Sequence, residues 1–93
     1  MKQLFPHISI DTHESGRVIL VVEDYELFDF IEDYLNEEIE IPYEYITSSE
    51  RVGGEVITIY FPLSTRITEV ESGLLKLSAQ EIERIYLLNN KPN

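Results

Sequence analysis

The chain has 93 residues, 43% of them hydrophobic, which suits one packed domain and argues against a disordered chain. It has no cysteine, which excludes disulfides and thiolate metal sites. Its formal charge of −11 sets it against nucleic acid and anionic membrane surfaces as direct ligands.

Ile8 to His13 alternates apolar and polar residues and predicts a strand. Glu14-Ser15-Gly16-Arg17 predicts a turn, with Gly16 able to take a positive φ. Val18 to Val22 is apolar and mostly β-branched, as expected of an interior strand closing a first hairpin. Asp24 is a suitable N-cap for a helix over Tyr25 to about Glu38. At 100° per residue, Leu27, Phe28, Phe30, Ile31, Tyr34 and Leu35 share one arc, and the acids share the other. Pro42 lies beyond the helix end.

Tyr43 to Thr47 and Val56 to Phe61 are rich in aromatic and β-branched residues, and Gly53-Gly54 between them permits a tight turn. They predict a second hairpin ended by Pro62. Ser64 to Leu77 is ambiguous. Ser72-Gly73 suits either the turn of a third hairpin or a break between helical pieces, and a helical turn near Thr65 to Glu71 is favoured. Ser78-Ala79-Gln80-Glu81 is a capping box for a terminal helix over 79–89, and 89–93 reads as a frayed tail. The order ββαββα predicts a single α+β domain over 1–93. Its core would be a mostly antiparallel sheet of about four strands with two helices on one face; a small closed barrel is the alternative.

The placement of charge is more informative than its total. Between Val18 and Glu50 there is no Lys or Arg, yet the segment holds eleven acids. Elsewhere seven acids face seven bases, so the whole net charge resides in this segment. On the helix, Asp29–Asp33 and Asp33–Glu37 are like-charge pairs at i,i+4, each costing roughly 0.2–0.5 kcal/mol. Glu37, Glu38 and Glu40 stand near the negative end of the helix dipole, an unfavourable place for anions. A surface that needs only solubility mixes signs. The plain alternative is a solvated acidic face, or one met by Arg51 or Arg84 in the fold. Tyr43 and Tyr45, predicted on one side of their strand, lie beside the acids, and tyrosine is favoured at interface hot spots.

No catalytic, metal or cofactor site is read. Asp11, His13 and Glu14 are the nearest approach to a ligand set, and no nucleophile accompanies them. The acids have helical spacing, not that of a calcium loop. The longest apolar run, Val18 to Val22, is far short of the ~20 residues that span a bilayer. Met1 to His7 has no apolar stretch that would make a signal peptide, so a cytoplasmic location is expected.

These features lead to a non-enzymatic, cytoplasmic inhibitor of the immunity or antitoxin kind. Its expected partner is a basic protein, such as a nuclease toxin, whose cleft it blocks with carboxylates standing in for phosphates. Small acidic nuclease-immunity proteins are similar in this general character, without a shared motif. The expected binding face is Asp29, Glu32, Asp33, Glu37, Glu40, Tyr43 and Glu44. The alternative is a subunit or adaptor, or a homodimer, joined through an apolar sheet surface such as Ile57, Ile59 and Phe61, or Val18, Leu20 and Val22. The oligomeric state is left open.

Overall fold

The computed structural model describes residues 1–52 and 54–89. Among the described residues, five strands and three helices follow one another as β1 (Lys2–Phe5), β2 (Ile8–Thr12), β3 (Val18–Val22), α1 (Tyr25–Glu37), β4 (Tyr45–Arg51), β5 (Gly54–Tyr60), α2 (Ile67–Leu74) and α3 (Ala79–Asn89). The strands form one sheet in the order β1-β2-β3-β5-β4, with every neighbouring pair antiparallel. The fold is α+β, as the hydrophobic pattern predicts. The sheet is open rather than a barrel, with β1 and β4 at its edges.

Strand alternation builds the core. Ile10, Leu20 and Ile59 lie in one cross-strand row, and Ile8, Val22 and Ile57 in the next. All six are buried on the helical side, where each contributes roughly 1.5–3 kcal/mol by leaving water. Leu27, Phe28, Ile31 and Leu35 of α1, Val70 and Leu74 of α2, and Ile82 of α3 close the same cluster. The apolar arc of α1 therefore points where its 3.6-residue period requires. Asp24 caps it, with Oδ2 accepting the Leu27 N–H at 3.0 Å.

Several expectations need correction. There are five strands rather than about four, because Lys2–Phe5 pairs with β2. Pro6 and His7, the latter at φ 70°, make the turn that returns the chain. A helix over Ile67–Leu74 brings the helices to three rather than two. Ser72-Gly73 is neither turn nor break but part of that helix. Gly73 is needed for approach: a Cβ there would come within 2.8 Å of Ile39 Cδ1. The first strand of the second hairpin starts at Tyr45 and ends at Arg51, not at Thr47, because pairing with β5 carries it through the polar Ser48-Ser49-Glu50. Of the predicted Gly53-Gly54 turn, Gly53 lies outside the described residues, as do residues 90–93 of the predicted tail. The terminal helix begins as predicted, with Ser78 Oγ accepting the N–H groups of Gln80 and Glu81 at 3.1 and 3.3 Å.

A candidate acidic interface on helix α1

The amphipathic geometry that buries Leu27, Phe28, Ile31 and Leu35 turns Asp29, Asp33 and Glu37 to solvent. Glu32 is half-buried at the border of the two arcs. Carboxylate oxygens of Asp29, Glu32 and Asp33 all lie within 4.8 Å of one another. That is what i,i+3 and i,i+4 spacing produces on one helix, and it concentrates negative charge over one turn. The helix has no basic residue in its last turn to offset the charge there.

Helix α1 ends in a tight reversal. Ile41 donates its N–H to the Leu35 C=O at 2.9 Å, and Glu40 takes φ 51°. This is the left-handed terminus usually given to glycine. Ile41 is buried behind it, and Glu40 is left exposed beside the helix end. The chain then turns towards the sheet through Pro42 and Tyr43.

Tyr43 and Tyr45 do not share a face. Tyr43 lies on the helical side, where its hydroxyl donates to the Glu32 carboxylate. Tyr45 stacks on Tyr60 with ring centroids 4.5 Å apart, on the face that carries no helix. The reason is that regular pairing begins at Tyr45, so strand alternation does not extend back to Tyr43. The bond to Glu32, followed by burial, pushes the Tyr43 phenol up to about 12. Tyr43 is thus a brace that fixes one carboxylate of the acidic ridge, not a protruding anchor. Tyr34, on the same helix, donates to the Gly73 C=O at 2.8 Å and ties α1 to α2. Burial and, secondarily, the Glu38 carboxylate raise its pKa.

Glu44 is drawn away from the ridge. Arg17 Nη1 donates to its carboxylate and also to the Phe61 C=O at 3.1 Å, with the guanidinium 5.8 Å from the Tyr45 ring centroid. Arg17 therefore brings a cation to the acidic segment, a role the sequence does not signal. It stands 27 positions from Glu44, and only the β2–β3 turn and the β3–β5–β4 pairing bring them together. The structure gathers Asp29, Glu32, Asp33 and Tyr43, continues the ridge to Glu37 and the helix end at Glu40, and assigns Glu44 to a different cluster.

The two histidines make contacts in and beside the turns that flank β2. His13 Nδ1 accepts the Ser15 N–H at 3.2 Å within the β2–β3 turn, and Asp11 Oδ1 accepts the Thr12 N–H at 2.8 Å. His7 stacks on Tyr86 at 3.5 Å between centroids, joining the β1–β2 turn to α3. Among the described residues, no helix is long and apolar enough to cross a membrane. Comparison with protein-family models, with curated proteins and with solved structures returned no match.

Proposed function

We propose that the chain is a cytoplasmic protein-binding inhibitor of the immunity or antitoxin kind, acting on a basic, nucleic-acid-handling protein such as a nuclease toxin. The observation that carries this reading is the Asp29–Glu32–Asp33 carboxylate cluster, held within 4.8 Å, with Asp29 and Asp33 exposed and Glu32 half-buried at the edge of the helix face. Closely spaced anions on one helix face repel one another, and a cationic partner relieves that repulsion. A cleft lined with Lys and Arg to hold phosphates is such a partner. The binding face is Asp29, Glu32, Asp33 and Glu37, with Glu40 at its end. Tyr43 positions Glu32, and Glu44 is left to Arg17. The reading needs no catalysis: the inhibitor works by occupying the cleft.

The test is capture of partners from the native host by the wild-type chain and by a folded Asp29→Lys, Asp33→Lys, Glu37→Lys triple variant. A basic nucleic-acid-handling protein retained by the wild type and lost by the variant supports the reading. Its association rate should fall as salt rises, because steering is screened beyond a Debye length of about 8 Å at physiological ionic strength. Equal retention by both proteins would refute the acidic face.

The alternative of a subunit or adaptor, or a homodimer, joined through an apolar sheet face would need a surface other than Ile57, Ile59 and Phe61, or Val18, Leu20 and Val22. All six are buried beneath the helices and form no surface.

A further inference from the structure

The two edges of the sheet are protected differently. An edge strand offers N–H and C=O groups to any other strand, and proteins blunt it with brevity, lysine, bulges or a neighbouring element. β1 shows each of these. It has four residues, carries Lys2, and shifts register between Gln3 and Phe5. Lys2 Nζ also reaches Glu71 of α2 at 3.2 Å. β4 has seven residues with neither proline nor lysine, and its register against β5 is continuous from Tyr45 to Arg51.

Hydrogen-bond parity shows which groups of β4 face outward. Phe61 donates its N–H to the Val18 C=O at 3.0 Å. In an antiparallel ladder, Ile59 and Ile57 then bond towards β3, and Tyr60, Thr58 and Val56 towards β4. Their partners Tyr45, Thr47 and Ser49 turn their amides to β5. Ile46, Ser48 and Glu50 therefore direct their N–H and C=O groups away from the sheet.

We propose that β4 is a self-pairing edge. Two copies of the chain join antiparallel about a two-fold axis at Ser48, making one continuous sheet from two five-stranded ones. This register pairs the whole strand. It sets Ile46 opposite Glu50 and Thr47 opposite Ser49, and it brings the outward residues of each copy into mutual bonding. A second copy suits this edge because the register is self-complementary and its centre carries no charge. Copies of a chain with net charge −11 repel, and Tyr45 to Ser49 is an uncharged stretch within the acidic third. With Ser48 on the axis, Glu50 meets Ile46 of the other copy rather than Glu50, so no like charges stand directly opposed. Tyr45 and Ile46, 44% and 39% exposed, flank the edge on opposite faces and would be covered.

The experiment is solution mass by sedimentation across the micromolar range, at low and high salt. The wild type should pass from monomer to dimer with concentration, and salt should strengthen the dimer by screening the repulsion. Ser48→Pro removes an outward N–H and no backbone bond within the chain, so it should abolish the dimer. It also removes the exposed bond from Ser48 Oγ to Glu55 at 2.7 Å, and Ser48→Ala, which loses only that bond, should still dimerise. Ser48→Glu, which sets two carboxylates opposite each other at the axis, should abolish the dimer and decides alone if the proline variant fails to fold. A wild type that stays monomeric at high micromolar concentration, or a dimer that survives in the folded glutamate variant, overturns the proposal.

Discussion

Tyr43 is held by a charge-assisted bond to Glu32, and that bond has a pH signature. Its phenol is raised from the ordinary 10.0 to about 12, so the folded chain holds the proton more tightly than the unfolded one. Stability from this group is complete below about pH 10 and is lost as pH rises towards 12. Tyr43→Phe should cost about 1 kcal/mol at neutral pH, from the lost hydrogen bond. It should also remove this group's share of the alkaline loss. Denaturant melts of both proteins across that interval check the sign. Glu40 offers a second test at this scale. Its φ of 51° carries a steric cost that glycine does not incur. Glu40→Gly should stabilise by roughly 0.5–1 kcal/mol, because relief of that cost exceeds the extra freedom gained by the unfolded chain. A destabilised variant in the same melt would mean that the Glu40 carboxylate has a favourable partner.

Helix α1 has opposite demands on its two faces. Phe28 and Ile31 are buried in the cluster shared with the sheet and the other helices. Either one changed to alanine should cost about 2–5 kcal/mol through lost transfer energy and the cavity left behind. The polar face should behave in the opposite way. Asp33→Lys replaces two like-charge contacts by attractive ones and should be neutral or stabilising by a few tenths of a kcal/mol. Comparing the two substitutions in chemical denaturation separates a helix held by packing from one held by its surface. α2 makes a related point. Gly73 weakens the helix by its own propensity, yet it leaves the space into which Ile39 packs and presents the C=O that Tyr34 bonds.

For the whole molecule, the charge imbalance is a stability term as well as a signal for partners. Self-repulsion destabilises the compact state and is screened by salt. The melting temperature should therefore rise from low to physiological salt; a fall would mean that paired charges such as Arg17–Glu44 and Lys2–Glu71 outweigh the repulsion. Salt has opposite expected effects on the two proposed associations. It slows capture of a basic partner by α1 and strengthens self-pairing at β4. The two surfaces belong to different elements, so a loss of one association leaves the other measurable.

The local periodicities were enough to determine most of the elements. A 3.6-residue period marks α1, a two-residue period marks β2, and Asp24 and Ser78 announce the helices they cap. These signals work because each depends on residues within one or two turns of one another. The charge asymmetry was equally legible, since it is a property of composition along the chain. Tertiary structure decided what depends on distant partners. Lys2–Phe5 is a strand only because β2 offers it an edge, and β4 extends to Arg51 only because β5 runs beside it. Tyr43 and Tyr45 part to opposite faces where the ladder begins, and Arg17 reaches Glu44 across three strands. Ile57, Ile59 and Phe61 could have been an outer surface on their pattern alone. Alternation defines two faces of a strand, and only the packing of the helices determines which of them is buried.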